Sequence, residues 1–196
     1  MIEKFKSKIT SNEFLLDCKN FKAIEQTYNV SYLEFIQYFK KINTITKHNV
    51  IIGINFTYGW MPTIFDFRSK NFDESIEILN NAKNGTIPTA HQLETLKRLF
   101  NNSLVGTTKL LHFINPKVFA IWDSRVYRYL TKNEPYSYRI GNSETYLSFL
   151  YFINDLTQLK QYDEIHKSIC AKLGYQITKL RSAELIMYLN GGKETR

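Results

Sequence analysis

Ser103-Leu-Val-Gly106-Thr-Thr-Lys109-Leu-Leu-His112-Phe-Ile-Asn-Pro116-Lys-Val-Phe-Ala-Ile-Trp122-Asp123-Ser-Arg125-Val-Tyr-Arg128-Tyr-Leu130 decides how this chain is read. It predicts a tight turn at Gly106, a short helix, a connection broken at Pro116, and an apolar approach to one aspartate. A second helix then starts at Asp123 and carries two arginines. Aspartate is a strong helix N-cap, because its carboxylate accepts hydrogen bonds from the first free backbone amides. The same carboxylate, projecting from the apolar wall Val118–Trp122, can also stabilise a developing cation or orient a water. Cap and working acid are both open readings at this point.

Helical periodicity dominates on either side of that run. Ser31 can cap a helix over Tyr32–Ile42, with Tyr32, Phe35, Ile36, Phe39 and Ile42 on one side. Val50-Ile-Ile-Gly-Ile-Asn-Phe56 is rich in β-branched residues, yet no partner strand is evident elsewhere, so a buried helix over Thr46–Tyr58 is expected. Pro62 should stop or restart the helix there. Asp73 is expected to cap Glu74–Asn81. Thr89-Ala-His-Gln92 has the spacing of a capping box ahead of a helix running to Phe100. Ser143 precedes a long apolar helix through Leu156. A further helix over Ile165–Leu173 ends at Gly174, and a last one over Lys179–Leu189 ends at Gly191-Gly192. No repeat or low-complexity tract is present. The expected fold class is all-α, in about eight to ten short helices, with residues 1–196 forming a single all-helical domain.

Composition agrees with a globular chain: of 196 residues, 43% are hydrophobic and 22% charged. Eight glycines and four prolines are too few for the recurrent turns of an all-β sandwich. The net charge is +8. Basic residues exceed acidic ones by 6 to 3 in 101–150, the block that holds the opening run, whereas 51–100 is balanced at 5 to 5. Such a balance suits a polyanionic partner, and it suits plain solubility equally well. Cys18 and Cys170 are the only cysteines. Two thiols cannot hold an iron–sulfur cluster by themselves, and no Cys/His spacing matches a zinc site, so no cofactor and no metal are expected. Both are expected to be buried thiols in a reducing cytoplasm. The most apolar stretch, Leu147–Ile153, is far too short to span a bilayer, and no membrane partner is expected.

Several side chains carry two readings. His112, one turn after Lys109, can reach a phosphate or sit hydrogen-bonded in the core. Trp122 can stack on a base or pack against the next helix. Tyr58-Gly59-Trp60-Met61-Pro62 can line a base-sized pocket or form a packed corner. Arg125, Arg128 and Lys132 recur at three- and four-residue spacing, a stripe that can contact phosphates, while Arg128 can instead pair with Glu134 or Asp123 at the surface. The turn 102–108, with Gly106, Thr108 and Lys109, can seat a phosphate on the amides of a new helix start.

Leu104-Val105-Gly106 and Asp123-Ser124-Arg125-Val126-Tyr127-Arg128-Tyr129, at this separation, resemble the hairpin and catalytic segment of the helix–hairpin–helix DNA glycosylase superfamily. That family follows a hairpin of the Leu-Pro-Gly-Val-Gly type with a helix, an apolar approach and Asp-Thr-His-Val-x-Arg-Val. Lys109–Phe113, Pro116, Phe119, Ile121, Asp123-Ser124 and Val126 are further similar to a divergent bacterial branch related to it. The resemblance implies a two-lobed multi-helix bundle whose hairpin and aspartate-helix core spans roughly 89–132. It implies DNA as partner and Asp123 as the group that assists departure of a flipped base. Leu104 replaces the hairpin's first glycine. Thr108 stands where bifunctional members carry a Schiff-base lysine, with Lys109 one residue off. The cysteines that bind an iron–sulfur cluster in some members are missing. The implied enzyme is therefore a monofunctional N-glycosylase that uses water. The rival reading is a non-catalytic module of the same scaffold that binds nucleic acid or protein.

Overall fold

The computed structural model describes residues 7–23, 29–59 and 72–192. These hold eleven α-helices, one 3-10 turn and no strand, so the all-α expectation holds. The chain divides into two compact units, one of residues 1–24 and 120–196 and the other of residues 25–119. The division falls inside the stretch 89–132: the hairpin belongs to one unit and the aspartate helix to the other.

The first helix, α1 (Ser11–Asn20), belongs with the C-terminal part of the chain. A full capping box starts it: Glu13 N–H donates to the Thr10 hydroxyl, and Thr10 N–H donates to Glu13 Oε2 at 2.7 Å.

The unit of residues 25–119 contains α2 (Asn29–Lys40), α3 (Lys47–Gly59), α4 (Asp73–Lys83), α5 (Ala90–Lys97), a 3-10 turn (Arg98–Phe100) and α6 (Leu104–Ile114). The stretch Val50–Phe56 is helical as expected, and Val50, Gly53 and Ile54 are buried. Asp73 is the first residue of α4 and not its cap; Phe72 precedes it with no side-chain cap. Both halves of the Thr89–Gln92 capping box form. Helix α6 is the centre of this unit and touches α2, α3, α4 and α5. That explains its composition: a helix wrapped by four others is apolar nearly all round, with Leu110, Leu111, Phe113 and Ile114 all buried.

The turn before α6 differs from the expectation. The chain reverses at Asn101 and Asn102, with φ of 53° and 60°, and Ser103 caps α6 by accepting from Gly106 N–H at 3.2 Å. Asparagine tolerates the left-handed region better than other non-glycine residues. Gly106 is thus a helical residue, not a turn residue.

The other unit continues with α7 (Ser124–Thr131), α8 (Ser137–Ile140), α9 (Ser143–Thr157), α10 (Tyr162–Leu173) and α11 (Lys179–Asn190). Asn142 caps α9, accepting from Thr145 N–H at 2.8 Å, and Ser143 is the helix's first residue. Gly174, at φ 78°, ends α10 as expected. Helix α11 is the centre of this unit and touches α1, α7, α9 and α10. Its buried run from Leu180 to Met187 includes an ion pair between Arg181 and Glu184 at 2.5 Å.

Candidate functional site

Asp123 sits at the N-cap of α7, in extended backbone geometry, with the buried residues Phe119–Trp122 before it. Its Oδ1 accepts from Arg125 N–H at 2.9 Å and from Val126 N–H at 3.0 Å. Both cap bonds fall on one oxygen, and Oδ2 makes no hydrogen bond to the described residues. The residue is half-buried. One half of the carboxylate thus holds the helix start, and the other half is left for something else. Cap and working acid are not exclusive in this geometry.

Helix α7 has two unlike sides. Val126, Tyr127, Tyr129, Leu130 and Thr131 face inward, while Arg125 is exposed and Arg128 half-buried. Neither arginine pairs with Asp123 or Glu134 among the described residues. The Arg125 guanidinium lies 4.6 Å from the ring centre of Tyr188 on α11, which holds it in place but leaves its N–H groups to solvent. Arg128 donates to the Gly191 carbonyl at 2.9 Å, a cation at the C-terminal end of α11 where the helix dipole favours one. Its buried Nε has no hydrogen-bond partner. Gly191 fits there because a Cβ would lie 1.9 Å from the Arg125 carbonyl oxygen. Arg125 is therefore presented outward, and Arg128 is committed to joining α7 and α11.

The structure moves four expected site residues into the core. Gly106 is buried, and a Cβ on it would come 2.7 Å from Phe100 Cδ1; its amide is already taken by Ser103. It serves a close approach to the preceding turn and not a phosphate. Thr108 is fully buried, its hydroxyl donating to Val105 O at 3.0 Å. His112 is fully buried, with Nδ1 2.7 Å from Phe119 O and Nε2 2.9 Å from the Tyr32 hydroxyl. A carbonyl only accepts, so Nδ1 carries the proton and, in the neutral ring, the tyrosine donates to Nε2. Trp122 is fully buried; its Nε1 donates to Ile140 O at 3.0 Å, and its ring packs on Phe149 and edge-on to Tyr127. Neither His112 nor Trp122 offers a face to a base. Lys109 is half-buried on α6. Trp60 lies outside the described residues.

One surface was not anticipated from the sequence. Tyr136 and Tyr138 are 56% and 70% exposed, and their rings lie nearly parallel with centres 6.0 Å apart. The Arg139 guanidinium sits 5.1 Å from one ring centre and 5.4 Å from the other. The available signal was Pro135-Tyr-Ser-Tyr-Arg139: alternating aromatics and an arginine in a segment without core periodicity. Beside it is a cavity of about 310 Å³ lined by Tyr127, Thr131, Tyr138, Arg139, Asn142 and Thr145. Tyr127 stands one helical turn along α7 from Asp123, its amide donating to the Asp123 carbonyl.

Among the described residues, no group of three or more His, Cys, Asp or Glu side chains is placed to hold a metal ion. No helix among them is long and apolar enough to cross a membrane. Cys18 and Cys170 are both buried and free. Burial, reinforced by the neighbouring Asp17, pushes the Cys18 thiol up to about 12, which keeps it protonated and unreactive. Comparison with protein-family models, with curated proteins and with solved structures finds no match to this chain.

Proposed function

We propose that this protein is a DNA glycosylase-like enzyme, a monofunctional N-glycosylase that removes a flipped, modified or damaged base, with Asp123 as its catalytic group. The observation that supports this most is the division of labour within that carboxylate: Oδ1 accepts both cap bonds while Oδ2 stays unengaged. In the proposed reaction the C1′–N bond breaks and its electron pair leaves with the base. A water oxygen then bonds to C1′, and its proton is carried off to the departing base or to solvent. The anionic Oδ2 stabilises the oxocarbenium-like sugar and orients that water. Arg125 neutralises a flanking phosphate. Arg128 contributes by fixing α7. The proposed setting is the cytoplasm, in keeping with two buried free thiols.

The burial of Gly106, Thr108, His112 and Trp122 favours a second reading, a non-catalytic module of the same scaffold that binds nucleic acid or protein. One experiment separates the two. Purified protein is incubated with duplexes carrying a panel of damaged or modified bases, and alkali or heat then reveals abasic sites. The enzyme reading expects strand breaks with wild-type protein and a loss of about a hundredfold or more in Asp123→Asn. Asparagine caps a helix as well as aspartate, so folding is preserved in that variant. Equal activity in both proteins removes Asp123 from the chemistry. Binding to every duplex with no abasic product leaves the module.

A further inference from the structure

We infer that Tyr136, Tyr138 and Arg139, with the cavity beside them, form a binding site for an unpaired segment of nucleic acid: a base stacks on Tyr138 and an adjacent phosphate meets Arg139. The site does not depend on Asp123 acting in base removal.

Its first support is exposure. A single exposed aromatic is ordinary, but two tyrosines stacked in the open with a cation over both are a cluster that packing does not account for. The Arg139 guanidinium lies against both rings, a contact that favours this arrangement before anything binds.

The second support is charge. Arg139 uses one N–H on the Glu134 carbonyl at 3.1 Å and has no carboxylate partner among the described residues. Its remaining donors form a planar fork suited to a phosphate. Glu144, in the first turn of α9, repels an anion at that helix start, so the phosphate belongs at Arg139.

The third support is the cavity. Asn142 Oδ1 accepts from both the amide and the hydroxyl of Thr145, at 2.8 and 3.0 Å. That fixes the side chain so that its NH₂ group is free to donate to a base carbonyl or ring nitrogen. Tyr127 also lines the cavity, and its hydroxyl makes no hydrogen bond to the described residues. An aromatic floor, an edge with donors and a nearby cation are what a single unstacked nucleotide uses. Paired bases within a duplex present no open face to such a platform.

The test uses full-length protein and a fluorescein-labelled oligothymidylate, read by anisotropy across a salt series. Wild-type protein is expected to bind. Tyr138→Ala is expected to weaken binding about tenfold, while Tyr138→Phe, which keeps the ring, binds as wild type. Arg139→Gln is expected to lower the slope of log affinity against log salt by about 0.7, the share of one phosphate on a single strand. Tyr151→Ala removes another exposed tyrosine (51%) and is expected to change nothing. Tyr138 is so exposed that its truncation leaves the fold intact, which circular dichroism checks. The inference is overturned if wild-type protein fails to bind, if Tyr138→Ala binds normally, or if Tyr151→Ala weakens binding as much as Tyr138→Ala. Asp123→Asn should bind oligothymidylate like wild type, so failure of base excision and failure of this site are told apart.

Discussion

Helices α6 and α7 begin alike and diverge at once. Each follows an irregular connection, and each has a capping side chain, Ser103 on Gly106 N–H and Asp123 on the amides of Arg125 and Val126. Past the cap, α6 is enclosed by α2 to α5, and its polar groups turn back on the chain: Thr107 donates to Ser103 O, Thr108 to Val105 O, and His112 to Phe119 O. Helix α7 is enclosed on one side only. Its polar groups therefore divide, with Arg128 and one oxygen of Asp123 spent internally while Arg125 and the other oxygen remain. A polar residue at a helix start becomes available for chemistry only where the helix keeps an unpacked side. That is why α7, and not the hairpin, carries the candidate site.

The largest expected effect that could break this comparison is at His112. His112→Phe keeps an aromatic ring in the core but removes both hydrogen bonds and leaves the Phe119 carbonyl buried without its partner. A loss of about 3 kcal/mol is expected, read as a lower midpoint in urea. Unchanged stability together with weakened nucleic-acid binding would mean that α6 does present His112 outward.

Gly106→Ala should have the next largest effect. The added methyl falls 2.7 Å from Phe100 Cδ1 and 3.2 Å from Phe100 Cβ. Phe100 is fully buried and stacked on Tyr58, so it has little room to withdraw. Crowding of this kind costs about 1–3 kcal/mol, against a gain of roughly 1 kcal/mol from replacing a helical glycine by alanine. A net loss of up to about 2 kcal/mol in thermal or urea unfolding is expected. A phosphate-seat glycine behaves in the opposite way: alanine there leaves stability alone or raises it, and lowers only binding.

These two residues also show where the sequence was legible. Element type was readable because it depends on local pattern: the Thr89–Gln92 capping box, the stop at Gly174, and the helix over Val50–Phe56, whose β-branched run had no strand to pair with. Helix α1 was legible by the same rule, since Thr10-Ser-Asn-Glu13 has capping-box spacing, yet its weak apolar pattern hid it. The hairpin turn was misplaced because glycine is the usual left-handed residue, and here Asn101 and Asn102 take that role. Which face of a helix meets solvent was not legible on α6, because a helix packed on all sides has no polar face to betray its orientation. The Tyr136–Arg139 platform was missed for the converse reason: a periodicity search passes over residues that do not pack.

The smallest expected effects sharpen the comparison most. Ser103→Ala and Asp123→Ala each remove one cap and should each cost about 1 kcal/mol. Asp123→Asn keeps the cap oxygen and should cost a few tenths of a kcal/mol at most, from the lost charge at a helix start. Thermal unfolding of the three variants beside wild type measures this. If Asp123→Asn is as unstable as Asp123→Ala, the negative charge is serving the fold, and its loss in any activity assay says nothing about chemistry. If the asparagine variant is as stable as wild type, the cap needs only the oxygen that faces the amides. The charge on the other oxygen then has no structural use in this unit, and a residue that keeps a charge its fold does not need is the one to test first for chemistry.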